Sequence, residues 1–432
     1  MPTPRLIRQT LESISHQRDP KFFRAIVEGF TELRNLNHLL TGTKSDRAFI
    51  EATRIEETVF KYTGISVKLT VLQGLGLGAY VVPPPLDRNH PLMSGVRRWQ
   101  SNSLLTQHIF SKEAVDKISG TVDLQKGQVG GIFSRIQCPI YMGTSLVQGD
   151  RLSPEENAAV FLHEVGHVMT YFEYLGRSVT LNHVLGDLTR KYSEQETYQK
   201  RLDIISYVKH TLDLDSIDER RAAEMVDGEA LLALVVSESV MDPINATDTP
   251  AYDARSWEAL ADQFVSRLGG ARYLATGLDR KDRLTGSSSY RTNTQHLMIQ
   301  VSTVIFYSIP VFAPFFLLGL INGVDPKASV HDTPEERLKR LRQDVVDAMK
   351  NPKLDKEYRI RLQEDADVIA DLLKNMKDRE GLFSFLWTRL RPGSYRQFKR
   401  GNMITELETM ANNELFVKAN KLTVIAEGET NA

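Results

Sequence analysis

Leu152-Ser-Pro-Glu-Glu-Asn-Ala-Ala-Val-Phe-Leu-His163-Glu164-Val-Gly-His167 is the stretch on which the fold turns. Ser153 has the character of a helix N-cap, Pro154 suits the first helical position, and Glu156 completes a capping box with Ser153. The spacing predicts a helix from Pro154 to about Leu175, with Gly176 as its C-terminal stop. On that helix His163 and His167 stand at i and i+4, so both imidazoles project from one face about one turn apart and can reach one ion. Zinc suits such a pair because it accepts nitrogen and oxygen ligands in a tetrahedral arrangement. Glu164 lies on the neighbouring face, placed to take a proton from a water without itself ligating.

A zinc site of this kind needs a third protein ligand. An extended His-x5-His continuation would require Gly at 170 and His at 173, where the chain has Thr170 and Glu173. A glutamate some twenty residues on is likewise missing, since Gly186 and Asp187 stand there. His183 is a loose candidate that reads more simply as a surface residue. The better candidate is Glu258 in Ser256-Trp-Glu-Ala-Leu-Ala-Asp262, on a helix expected over about Arg255–Leu268 and ended by Gly269-Gly270. Glu258 and Asp262 are again i and i+4, so one carboxylate can bind metal while the other holds a ligand histidine in its tautomer. Glu238 is the fallback ligand.

Composition narrows the chemistry further. The chain has 432 residues, 54 Lys+Arg against 55 Asp+Glu, ten His and one Cys. The length has room for about two or three domains, or one with large insertions. The near-zero net charge argues against bulk nucleic-acid binding. A single cysteine, Cys138, excludes an intrachain disulfide and any cysteine-rich metal module, so a metal site must be built from His and carboxylates. Cys138 itself reads as a small buried residue. The N-terminus has no secretory-type apolar core, which together with the lone cysteine fits an intracellular, reducing compartment.

Outward from the histidines, Phe22, Ile26, Phe30 and Leu33 recur at helical spacing within residues 1–60. Ile65-Ser-Val-Lys-Leu-Thr-Val alternates as a strand, and Gly78-Ala-Tyr-Val-Val-Pro reads as a second extended piece, with Gly74-Leu-Gly-Leu-Gly as a hairpin between them. A third strand is expected over about Gly130–Met142. Residues 181–250 are polar and helix-rich. Residues 292–324 carry no Asp, Glu, Lys or Arg. Their apolar part has the length of a membrane span but contains Pro310 and Pro314, which leaves a kinked membrane segment and a buried helical hairpin both open. Phe383–Arg400 carries five cations and no acid among its aromatics. That composition suits a helix end packing its aromatics inward, or an anionic surface.

These residues together resemble the zinc metalloproteases of the HtpX and CAAX-prenyl-protease group. The resemblance rests on His163-Glu-Val-Gly-His167 with its preceding Ile140–Val147 and Leu152-Ser-Pro-Glu-Glu, and on Glu258-x-x-Ala-Asp262. It rests also on Ser329-Val-His331-Asp-Thr-Pro-Glu-Glu-Arg337-Leu, which is similar to that family's His-Pro-Pro-x-x-x-Arg signature with Asp332 in place of the first proline. Gly78-Ala-Tyr-Val-Val-Pro is similar to its Asn-Ala-Phe-Ala-x-Pro strand. The match covers roughly residues 65–345, with a longer span between His167 and Glu258 than that family has.

The resemblance implies an α+β, predominantly helical fold: a zincin-like protease core with a small sheet, a long helical insertion, and helical N- and C-terminal extensions. The boundaries expected are 1–63, 64–345 (with the insertion at 181–250 and the apolar segment at 297–324) and 346–432. It implies a zinc metalloendopeptidase of the gluzincin type, one Zn2+ held by His163, His167 and Glu258, and Glu164 as general base. Asp262 would orient a ligand histidine. His331 would lie near the metal as an oxyanion contact or an occupant of its open position, or else be a loop residue before a helix. A protein or peptide substrate is expected, aligned along the strand near Gly130–Met142. Membrane association would run through 297–324 with the active site on the cytoplasmic side, and no specific nucleic-acid binding is expected. The competing class is a catalytically silent protein of the same fold, acting as a membrane-linked adaptor or structural component.

Overall fold

The computed structural model describes residues 21–36, 46–82, 120–124, 126–147, 151–193, 195, 197–212, 217–236, 254–285, 334–351, 354, 356–375 and 417–418. The architecture is mostly helical with a small sheet. Helices α1 (Lys21–Asn35), α2 (Arg47–Ala52) and α3 (Ile55–Thr63) precede the strands β1 (Ser66–Leu72), β2 (Ala79–Val81), β3 (Thr121–Asp123), β4 (Gln128–Gly130) and β5 (Gln137–Gly143). After the short α4 (Thr144–Val147) comes the long α5 (Pro154–Ser193), then α6 (Tyr198–Leu212), α7 (Glu219–Glu224) and α8 (Gly228–Val236). Helices α9 (Ala254–Arg267), α10 (Ala271–Thr285), α11 (Pro334–Met349) and α12 (Lys356–Asn375) follow.

The first half of α5 is the axis of the molecule. Ala158, Ala159, Phe161, Leu162, Val165, Val168 and Phe172 are all fully buried, which gives an apolar surface around most of the helix. A helix apolar on nearly every side must be enclosed, and α1, α9, α10 and the sheet enclose it. The buried face of α1 (Phe22, Phe23, Ile26, Phe30 and Leu33) meets it edge-on through Phe30 and Phe161, whose ring centroids are 5.5 Å apart. The capping box forms at its start: Ser153 N donates to Glu156 Oε2 at 2.8 Å and Glu156 N to Ser153 Oγ at 3.2 Å. Arg280 on α10 adds a 3.0 Å bond to the same Glu156 oxygen and ties the two helices together.

Helix α5 does not end at Gly176. A glycine inside a helix costs about 1 kcal/mol, and it stops the chain only when a left-handed cap follows. Here the helix continues to Ser193, and its far end is anchored by Tyr192, whose hydroxyl contacts the carbonyls of Ala222 (2.8 Å) and Met225 (2.6 Å). Tyr192, Ile205, Val208, Ile217, Ala222, Ala223, Leu231 and Val235 form a second, smaller core there. The described part of 181–250 is mostly helical, with short non-helical joints such as 225–227.

The sheet has the order β1-β5-β2. Strand β5 is central, parallel to β1 from Ser66↔Gln137 to Leu72↔Gly143 and antiparallel to β2 at Ala79↔Met142 and Val81↔Ile140. The glycine-rich segment 74–78 is therefore a crossover and not a hairpin. It passes over the end of β5, where Gly143 N donates to Gly78 O at 2.9 Å. A Cβ on Gly143 would lie 2.1 Å from the Gly76 carbonyl oxygen, so the crossing needs glycine at that point. The extended run expected at 130–142 is likewise divided, into β4, a 3-10 turn at Phe133–Arg135, and β5. Strands β3 and β4 make a separate antiparallel pair.

One core joins the described N- and C-terminal helices to the centre. Val67, Leu69, Ile140 and Met142 of the sheet pack in the same cluster as the face of α1, Leu338, Leu341 and Val345 of α11, and Leu362, Ala366 and Ile369 of α12. The described parts of 1–63 and 346–432 thus share their interior with 64–345. No helix among the described residues is long and apolar enough to cross a membrane. The segments 297–324 and 383–400 lie outside the described residues.

Candidate metal centre

Two helices build the site, and a glycine sets their distance. Gly166, between the histidines, faces Ala261 on α9: a Cβ there would come within 2.8 Å of Ala261 Cα and 3.1 Å of its carbonyl oxygen. The absence of a side chain lets α5 and α9 touch backbone to backbone. That contact places Glu258, one turn before Ala261, against the imidazoles of α5. Helix α9 ends as expected at the glycine pair, with Gly270 N donating to Val265 O at 3.0 Å.

The two imidazole rings lie 4.6 Å apart at 79°. Nε2 of His163 is 3.3 Å from Glu258 Oε2, and Nε2 of His167 is 3.4 Å from Glu258 Oε1. One ligand atom from each of the three residues can be chosen so that all lie within 4.8 Å of one another, so the group can hold a metal ion. His163 and Glu258 are buried, while His167 keeps a partial opening to solvent. The pattern of two nitrogens and one oxygen turned toward a common point, with one ligand open on its outer side, leaves a direction from which a further molecule can approach.

Around this group lies a second set of contacts. Nδ1 of His163 is 3.0 Å from Asp262 Oδ1, so Asp262 serves His163, a choice the sequence leaves open. Once Nε2 is deprotonated, a proton kept on Nδ1 against that carboxylate would leave the Nε2 lone pair for the side of Glu258 and the shared point. Arg337, from the first turn of α11, grips Asp262 with two bonds, Nε to Oδ2 at 3.0 Å and Nη2 to Oδ1 at 2.5 Å. Its Nη1 lies 3.3 Å from Glu258 Oε2. Arg337 appears in the sequence only as the end of the spacing from His331, and nothing local there assigns it to the site.

Burial alone would push the His163 imidazolium down, but Asp262 and Glu258 outweigh it and hold the group up at about 9. Burial would raise the Asp262 carboxyl; Arg337 first, then His163, drive it well below the usual carboxylate range. The pocket therefore holds charge in pairs, as a buried polar group requires. Glu164 is buried at 7% exposure beside the histidines and makes no hydrogen bond or ion pair among the described residues.

Of the other sequence candidates, His331 and Glu238 lie outside the described residues. His183 falls within the distal half of α5, beyond Gly176. Glu173 is buried on α5. Cys138 is fully buried in β5, and burial pushes its thiol up to about 12, the behaviour of an inert core residue. Comparison of the chain with protein-family models, with curated proteins and with solved structures finds no match in any of the three.

Proposed function

We propose that the chain is a zinc-dependent endopeptidase of the gluzincin kind, with a zincin-like core formed by α5, α9 and the small sheet. The observation that carries this reading is the convergence of His163, His167 and Glu258 beside an unengaged Glu164. A tetrahedral zinc with bonds of about 2.0–2.1 Å has ligand atoms about 3.3–3.4 Å apart. The separation of Glu258 Oε1 from His167 Nε2, 3.4 Å, matches that edge. The resemblance of these motifs to the HtpX and CAAX-prenyl-protease group supports the same choice of metal and reaction.

Zinc bound by these three residues would lower the pKa of a water toward 7 and polarise a scissile carbonyl. Glu164 accepts the proton of the attacking water and delivers it to the departing amine, a single carboxylate serving both steps. Asp262 keeps His163 in the tautomer that ligates through Nε2. Glu164 is itself buried at 7% exposure, which limits the loss of that proton to bulk water. Strand β5 lies between β1 and β2, so a substrate strand added to this sheet would go to one of its edges. Among the described residues β2 pairs only with β5, and it packs against α5. An extended peptide laid along its open edge would run beside the histidine helix.

Replacing Glu164 by Gln tests this function. Wild type should cleave an unfolded protein in a zinc-dependent manner. Glu164→Gln should bind zinc equally but cleave about 100-fold or more slowly. Equal cleavage by the two across varied unfolded substrates would remove the peptidase reading and leave a silent metal-binding protein.

A further inference from the structure

Glu258 offers two oxygens, and its neighbours do not treat them alike. Oε1 faces His167 at 3.4 Å. Oε2 is 3.3 Å from His163 Nε2 and also 3.3 Å from Arg337 Nη1. The guanidinium cannot pivot freely about that contact. It is planar, and its other edge is clamped on both oxygens of Asp262. All three side chains are nearly inaccessible, at 10% for Arg337, 5% for Glu258 and 3% for Asp262, so no water competes for these contacts. One planar group is thus hydrogen-bonded to Asp262 and in ion-pair range of Glu258, the carboxylates that face the two imidazoles.

We propose that Arg337 is the positioning residue of the metal centre: its fork on Asp262 aims Nη1 at Glu258 Oε2, engages that oxygen, and leaves Oε1 as the single carboxylate oxygen for the ion. The inference rests on the metal-centre reading above and adds how the third ligand is presented. It also gives α11 a part in the site, since the residue that arranges the ligands of α5 and α9 comes from a third helix far along the chain.

Charge and geometry make opposite demands here, which lets them be told apart. A cation beside a divalent ion repels it, so if Arg337 merely balanced charge, Arg337→Gln would bind metal more tightly and Arg337→Lys would match wild type. If the planar fork positions both carboxylates, both variants lose affinity, because lysine keeps the charge but contacts one oxygen at a time.

The experiment titrates metal-free wild type, Arg337→Lys and Arg337→Gln with Co2+ and with Zn2+ against a chromophoric chelator. Visible Co2+ absorption reports coordination, and circular dichroism verifies folding. We expect wild type to bind one ion, both variants to bind about 10–100-fold more weakly, and the Co2+ bands to shift in each. Wild-type affinity and spectrum in Arg337→Lys, or tighter binding by Arg337→Gln, overturns the proposal. Should neither variant fold, X-ray absorption on zinc-loaded wild type decides: one carboxylate oxygen in the inner sphere supports it and two overturn it. A wild type that takes up no metal at all would instead sink the metal-centre reading on which this one rests.

Discussion

At the scale of single residues, the site is an arrangement of paired charges, and a metal ion entering it would have to displace a proton. In metal-free protein His163 is held at about 9 against 6.5 in the unfolded chain. A group raised on folding contributes stability that is fully present below its unfolded value and is lost as pH climbs through its folded one. Asp262, depressed on folding, acts in the other sense: its contribution is present above 3.8 and fades on acidification. Metal-free protein should therefore melt at a falling temperature between pH 6.5 and 9. Zinc needs the same Nε2 unprotonated, so the stabilisation that zinc confers should grow across that window. Melting curves with and without zinc at both ends of the range check this; a metal-free melting temperature that does not fall would contradict the charge arrangement.

At the scale of elements, the contact of α5 with α9 decides whether three ligands meet. Gly166→Ala forces a methyl group against the backbone of Ala261. Overpacking of this kind costs about 1–3 kcal/mol. It also moves Glu258 away from the histidines, so zinc affinity should fall with stability, measured by melting and by chelator competition. Retention of wild-type affinity would mean that the helices can part without disturbing the site. What the sequence made legible at this scale was local. The capping box, the i and i+4 pairs and the glycine stop of α9 are each decided within one or two turns, and they form as read. Gly176 misled because a glycine alone does not stop a helix whose far end is held by Tyr192. The strand order was hidden for a different reason. The 74–78 segment is as suited to a crossover as to a hairpin, and only the pairing of β1 and β2 with a strand about seventy residues further on settles which.

At the scale of the whole molecule, the C-terminal helices are part of the candidate metal site's support. Asp344 on α11 accepts from Ser266 at 2.5 Å, Gln263 at 3.3 Å and Arg267 at 2.6 Å, all on α9. Asp344→Ala removes a largely buried partner from that arginine and should cost about 2–4 kcal/mol, seen in denaturant unfolding. A loss below about 0.5 kcal/mol would show that α9 is held by apolar packing alone. A chain ending at Val345 would strip Leu362, Ala366 and Ile369 from the core, and it should fail to give cooperative melting. The part of Arg337 was not legible for the same reason that makes it informative. It meets Asp262 across 75 residues of chain, and no local pattern links them.

The third ligand joins all three scales: its side chain, its helix and that helix's support by α11. Zinc content per chain, measured by metal analysis on wild type and Glu258→Ala purified without chelators, tests it most directly. Wild type should carry one zinc per chain and Glu258→Ala, folded, less than about a tenth of that. Equal zinc in the two, or none in wild type, would contradict the centre described here.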